Sequence, residues 1–174
     1  ITEKTPLIGI EPSAILSFRD EYPELCGPEL KEDCLRLASH CLMIDEFIDK
    51  EFKAGRIKTS QFTNQPMSIK LHGHCQQKAV ASTQPTISML SIPKNYKVEE
   101  IPSGCCGMAG SFGFEKEHYD LSQKVGELIL FPEIRNTAEN IKIAAVGTSC
   151  RNQIFEGTGR RAFHPLEILW DSLV

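Results

Sequence analysis

Ile141-Lys142-Ile143-Ala144-Ala145-Val146-Gly147-Thr148-Ser149-Cys150 is the stretch that decides the fold. Its apolar run is short and closed by glycine, so it reads as a strand buried on both faces, the kind found inside parallel sheets. Thr148 and Ser149 then lead into helix-forming sequence and leave Cys150 at the strand's carboxyl end. Two further strand candidates end in the same way. Ser68-Ile69-Lys70-Leu71-His72 alternates and delivers His72-Gly73-His74-Cys75, and Tyr96-Lys97-Val98-Glu99-Glu100-Ile101-Pro102 stops just before Cys105 and Cys106. In an open α/β sheet the carboxyl ends of neighbouring parallel strands converge on one crevice, where ligands bind. The expected fold is therefore α/β, an open and mostly parallel sheet flanked by helices, with Cys75, Cys105, Cys106 and Cys150 at a common rim.

The paired cysteines sit in Ser103-Gly104-Cys105-Cys106-Gly107-Met108-Ala109-Gly110-Ser111-Phe112-Gly113, where glycine recurs at every third position. Such a backbone turns sharply and approaches a bound group closely. Adjacent cysteines make a strained disulfide, because their Cα atoms are closer than ordinary bridge geometry allows. Two thiolates offered side by side suit a soft iron or zinc centre instead. A long helix is expected to follow the loop, and a place near its first turn would favour the thiolate form of Cys106. The plainer alternative is a pair of small buried residues in a packed turn.

Composition bounds the rest. With 174 residues, 41% of them hydrophobic, and a formal charge of −4, the chain has the makeup of an ordinary globular protein. No basic run points to nucleic acid, and no apolar stretch approaches a membrane span. Ile1-Thr2-Glu3-Lys4 has neither a start methionine nor signal-peptide character, which predicts a processed chain or a piece of a larger one. The seven cysteines, Cys26, Cys34, Cys41, Cys75, Cys105, Cys106 and Cys150, are odd in number and scattered. A reducing compartment, the cytoplasm, fits them better than a secreted disulfide framework.

Upstream, Pro6 to Ile10 reads as a strand entering a helix from Ser13 to Glu21 that stops before Pro23. Helical spacing over Pro28 to Cys41 puts Leu30, Cys34, Leu37 and Cys41 on one face, a core role for both cysteines, and Met43 to Phe52 continues in the same way. Cys26, in a turn before Gly27-Pro28, is expected to be structural too. Ala54 to Pro66 is polar and reads as a surface connection. Gln76 to Leu90 is expected to be helical, with Pro85 starting, kinking or dividing it. Glu115 to Arg135 offers Leu121, Val125, Leu128 and Ile129 as a core face, with a new helical piece from Pro132, and the last helix spans Pro165 to Leu173. A weak repeat relates Ile8-Gly9-Ile10-Glu11-Pro12-Ser13-Ala14 to Ala144-Ala145-Val146-Gly147-Thr148-Ser149-Cys150, and Leu42–Phe52 to Leu166–Leu173. The division expected is residues 1–54 as the end of a first repeat, 55–67 as a linker and 68–174 as a complete second unit.

The order His72-Gly73-His74-Cys75, Cys105-Cys106-Gly107, Gly147-Thr148-Ser149-Cys150 resembles the cysteine-rich CCG domain. That domain occurs in pairs in a subunit of heterodisulfide reductase, in iron–sulfur subunits of glycolate oxidase and anaerobic glycerol-3-phosphate dehydrogenase, and in lactate-utilisation proteins. Cys105 to Tyr119, Thr158-Gly159-Arg160-Arg161 and His164-Pro165 are similar to the carboxyl-terminal region of fused FAD-linked oxidase and iron–sulfur proteins of the D-2-hydroxyglutarate dehydrogenase type. The resemblance implies an electron-transfer domain of an FAD-linked 2-hydroxy-acid dehydrogenase, acting on glycolate, D-lactate or D-2-hydroxyglutarate. Its partners would be an FAD-binding domain or subunit of the same enzyme and an electron acceptor, and it would reside in the cytoplasm, free or at the inner face of the membrane. The family's closing Cys-x-x-Cys keeps only Cys150 here, with Gly147 in the first place, and the earlier half-repeat has Glu11 and Ala14. What that implies is one conventional [4Fe–4S] cluster on Cys75, Cys105, Cys106 and Cys150, and none in the first half.

Other residues are weighed beside these. His72 and His74 are expected to pack or hydrogen-bond next to the ligands, as are Gly107 and His164, although either of the first two histidines would also complete a zinc site. Arg151, Arg160 and Arg161 read as a solvated basic cluster that an anion would also welcome. Two other functions stay open: a zinc-binding structural or interaction module on the same four cysteines, and a thiol–disulfide reductase in which the pair attacks a substrate disulfide.

Overall fold

The computed structural model describes all 174 residues. The chain opens with β1 (Leu7–Gly9), α1 (Pro12–Ile15), α2 (Glu21–Leu25), α3 (Lys31–Ser39), β2 (Cys41–Met43) and α4 (Ile44–Lys53). It continues with β3 (Met67–His72), α5 (Cys75–Val80), α6 (Gln84–Leu90), β4 (Tyr96–Glu100), α7 (Tyr119–Glu127) and α8 (Leu130–Arg135), and ends with β5 (Lys142–Ala145), α9 (Thr148–Thr158), β6 (Ala162–Phe163) and α10 (Pro165–Trp170). β1 and β2 form a parallel pair, while the larger sheet runs β4-β3-β5-β6, parallel throughout. The expected α/β architecture of parallel strands flanked by helices is the one observed. No helix is long and apolar enough to cross a membrane.

Residues of β5 alternate between two cores, as strand geometry requires. Ile143 and Ala145 join Ile101, Phe131, Ile134 and Ile154 on one face, and Ala144 joins Ile69, Leu71, Leu90 and Ile168 on the other. A third cluster ties the sheets together, with Val146 packed among Ile15, Leu16, Cys41 and Met43. Asp45 of α4 does the same in polar terms: it is buried and accepts hydrogen bonds from Gln77 Nε2 at 3.0 Å and from the Thr86 hydroxyl. Burial holds its carboxyl above the usual range.

Several expectations need correcting. The first helix ends at Ile15 and a 3₁₀ turn follows, and Pro23 lies inside α2 because a first-turn proline loses no helix hydrogen bond. Cys41 is buried, but in β2 opposite Leu7 rather than on a helix face, while Cys34 of α3 is only half-buried. No long helix follows the paired cysteines; turns and a 3₁₀ segment, Phe112–Phe114, lead to α7. The core face of α7 is inverted too: Leu121 and Leu128 are exposed, whereas Ser122 and Gly126 are buried. The cause is Phe131, whose ring lies so close that a Cβ on Gly126 or on Gly157 of α9 would approach it to 2.3 Å. The connection at 55–67 is mostly exposed, yet Phe62 is buried and Thr63 N–H donates to Ser172 O at 2.7 Å.

Candidate metal centre

The order β4-β3-β5-β6 reverses direction between β3 and β5, and the crevice at such a reversal is where open α/β sheets bind ligands. All four candidate cysteines come from loops leaving the carboxyl ends there. β3 ends at His72 and Cys75 opens α5; β4 ends at Glu100 and reaches Cys105 and Cys106; β5 ends at Ala145 and Cys150 lies in the first turn of α9. Cys75 is exposed, Cys105 half-buried, and Cys106 and Cys150 are buried.

Cys106 and Cys150 come within 4.8 Å of each other, and Cys105, beside Cys75 and Cys106, is close enough to both for the thiols to shift one another's titration. Donation from Cys106 and Cys75, aided by the N–H groups of Gly107 and Ala109, pushes the Cys105 thiol far down. Cys106 and Cys75, the donors, are pushed up, with burial adding to the effect. Cys150 is lowered to about 5, chiefly by Cys106 and then by His72 against the cost of burial.

The loop's glycines have assignable tasks. Gly107 has φ +101° and donates its N–H to Cys105 Sγ at 3.3 Å, and a Cβ there would meet the Ser122 carbonyl oxygen at 2.1 Å. Ala109, at φ +43°, accepts a left-handed conformation that disfavours side chains. Gly147 occupies the position where the related motif has cysteine, and a Cβ on it would lie 2.5 Å from His74 Cδ2 and 3.3 Å from Cys150 Sγ. The imidazole of His74 fills that space, while its Nδ1 accepts from Gln76 N–H at 3.2 Å and caps α5.

His72 is fully buried. Its Nδ1 lies 2.8 Å from Ser103 Oγ, while Nε2 has no hydrogen-bond partner of acceptable geometry. A ring nitrogen of His72 and the sulfurs of Cys106 and Cys150 all lie within 4.8 Å of one another. His164 is not part of this group. It caps α10 through Nδ1, its Nε2 is 3.2 Å from Ile10 O, and burial keeps it below the usual imidazole range. Arg151 and Arg160 are spent on backbone carbonyls, those of Ala145 and Val146 and those of Thr137 and Ile141. Cys26 and Cys34 lie beside each other away from this group, and Cys26 Sγ donates to Pro23 O at 3.5 Å. A groove of about 1050 Å³ is lined by Arg151, Phe155, Arg161, Phe163 and Trp170 among others, and by none of the cysteines.

One residue that sequence reasoning left out is Glu11. Its Oε2 accepts from Thr148 N–H at 2.9 Å, capping the helix that carries Cys150 from the other half of the chain. Charge alone gave no signal for it; the repeat, which sets Glu11 opposite Gly147, was the place to look.

The donor set suits a cubane cluster, whose irons take one thiolate each. Cys75, Cys105, Cys106 and Cys150, from three adjacent strand ends, are the residues that could hold such a group.

Comparison with known proteins gives relatives of partial overlap. One subunit of the anaerobic glycerol-3-phosphate dehydrogenase of Escherichia coli strain K12 is 29% identical over 168 residues, covering 97% of this chain and 40% of that protein. D-2-hydroxyglutarate dehydrogenase of the same strain is 29% identical over 167 residues, 94% of this chain and 15% of the relative. The enzyme of that name from Pseudomonas putida is 27% identical over 165 residues, again 94% and 15%. The chain thus spans well under half the length of these relatives, which are dehydrogenases by name. No family model matches the chain, and no solved structure matches it.

Proposed function

We propose that this chain is an electron-transfer iron–sulfur domain of the CCG type within an FAD-linked dehydrogenase of small hydroxy acids, of the glycolate, D-lactate or D-2-hydroxyglutarate kind. The observation that carries the proposal is the run of four sulfurs at the β3/β5 reversal, in a chain whose relatives are parts of larger dehydrogenases. Cys75, Cys105, Cys106 and Cys150 would hold a [4Fe–4S] cluster. When bound, such a cluster takes up and releases single electrons. The chain's own residues set the conditions: Gly107 and Ala109 N–H groups neutralise charge on Cys105, and His74 closes the gap at Gly147. An FAD-binding domain or subunit would supply electrons and a separate acceptor would remove them. The exposed apolar side chains Phe114, Tyr119, Leu121 and Leu128, downstream of the paired cysteines, support a covering partner.

Residues 1–54 would be the end of a first repeat, 55–67 a connection and 68–174 a whole unit. The support is the order of elements, β1, α1, β2, α4 with α2 and α3 inserted after α1, against β5, α9, β6, α10. Anaerobic reconstitution with ferrous iron and sulfide tests the functional proposal. It is expected to yield brown protein with about four irons and four sulfides per chain. Protein that retains neither iron nor sulfide overturns it.

A further inference from the structure

We infer that Cys26 and Cys34 form a redox-modification site, a dithiol between α2 and α3 that a small-molecule disulfide of the glutathione class closes into a reversible intramolecular disulfide. The pair shares no residue with the cluster proposed above and does not rest on it. Of the seven cysteines, four belong to the crevice and Cys41 is buried in β2, which leaves these two. First, the fold brings them together: Cys26 ends α2, Cys34 lies in α3, and the two helices pack on each other. Second, the joint between the helices is fixed by groups other than the sulfurs. The Pro23 carbonyl oxygen accepts from Cys26 Sγ at 3.5 Å and also from the Lys31 ammonium, which reaches Glu24 Oε1 at 3.2 Å. Lys31 and Cys34 are three residues apart on α3 and share a face, so the face anchored at Pro23 O presents Cys34 to Cys26. Third, both thiols are free and half-buried, held in place by the helix joint and still open to a small oxidant.

The thiol of Cys34 is pushed up, first by Cys26 beside it and then by burial, so Cys26 is the attacking sulfur and Cys34 the resolving one. In the first step the Cys26 thiolate attacks oxidised glutathione. A bond forms between Cys26 and one glutathione, the glutathione disulfide breaks, and the other glutathione leaves as its thiolate. In the second step the Cys34 thiolate, eased by the nearby Lys31 ammonium, attacks the Cys26 sulfur. The Cys26–Cys34 bond closes and the second glutathione leaves. The two cysteine thiols give up two electrons and two protons, and the oxidised glutathione takes them up as two thiols. Reduced glutathione runs the same steps backwards. Disulfides of reducing compartments are typically transient and sensing ones, and this link opens and closes with the surrounding ratio of thiol to disulfide.

The test uses the whole chain, reduced and then equilibrated anaerobically with oxidised and reduced glutathione in equal amounts, quenched with an alkylating agent and digested with trypsin. Cleavage after Lys31 separates the two cysteines, so the link is read by mass spectrometry as residues 20–31 joined to residues 32–36, a species that vanishes on reduction. At least about half of the chain is expected in this form. Cys26→Ser should abolish the linked peptide. Cys34→Ser should abolish it too and strand glutathione on Cys26, at least about tenfold more than in the unaltered chain. Cys26 and Cys34 both recovered alkylated overturn the inference, as does either of them joined to a crevice cysteine instead. Equal glutathione on Cys26 in the unaltered chain and in Cys34→Ser also overturns it, because Cys34 then resolves nothing. Should a variant fail to fold, the peptide map of the unaltered chain decides alone.

Discussion

The two halves of the molecule run through the same moves with different side chains. Glu11 and Gly147 are both extended N-caps leading from a parallel strand into a helix, and Ala14 and Cys150 sit three residues beyond them. Met43 and His164 open α4 and α10 in the same way, and Glu46 and Glu167 each return a carboxylate to the cap backbone at 2.8 Å and 2.7 Å. The strand–turn–helix frame therefore holds without sulfur. At the position matching Gly147 the first half carries Glu11, whose carboxylate caps the N-terminus of α9 in the second half. Scaffold and donor set are separable in this fold.

The largest test of that separation exchanges Ala14 and Cys150. Cys150→Ser is expected to abolish iron retention while the chain stays folded, and Ala14→Cys to add none, as iron analysis and circular dichroism would show; iron gained by Ala14→Cys would mean the first half is a latent site. Next comes Gly147→Cys, which restores the sulfur of the related motif. With His74 in the way it should cost about 1–3 kcal/mol by urea denaturation, the usual effect of overpacking. Adding His74→Ala should recover part of that loss, and a neutral single substitution would mean the ring is free to leave.

Glu11→Ala removes the cap that spans the halves and should cost about 1 kcal/mol, with Glu11→Gln losing less. The smallest effect contrasts Asp45 with Leu166, which follow Ile44 and Pro165 at matching helix positions. Folded Asp45 keeps its proton to higher pH than the unfolded chain, whose carboxyl titrates near about 4. Between those two values the native state binds more protons, so stability falls as pH rises through the window. Asp45→Asn should remove this part of the slope, leaving the difference between the two proteins flat on either side. A difference that grew with pH in the opposite sense would show that the hydrogen bonds from Thr86 and Gln77, not burial, dominate at this carboxyl.

How much of this was legible follows from where the signal lay. β1, β3, β4 and β5 announce themselves as alternating or continuous apolar runs, and three of them point at cysteine, so the parallel sheet and its rim were readable. β2 and β6 are three and two residues long and carry no period; only the repeated capping glutamates, Glu46 and Glu167, mark them. The face of α7 misled because Leu121 and Leu128 have the right spacing, while the true constraint is the room Phe131 takes from Gly126 and Gly157. The helical spacing after the paired cysteines is realised only from Tyr119, because Gly107, Ala109 and Gly110, all with positive φ, keep the preceding loop out of a helix. The special place of His72 was hidden for another reason. Next to His74 it looks equivalent, and only three dimensions reveal that one ring caps a helix while the other faces the buried sulfurs of Cys106 and Cys150.

The graded exposure of the sulfur run gives the crevice a wet end and a dry end, from Cys75 through Cys105 to Cys106 and Cys150. Oxidative ageing should follow that gradient, because dissolved peroxide attacks accessible, thiolate-rich sulfur first. Oxidation should therefore remove the outer donors first, while Cys106 and Cys150 stay shielded.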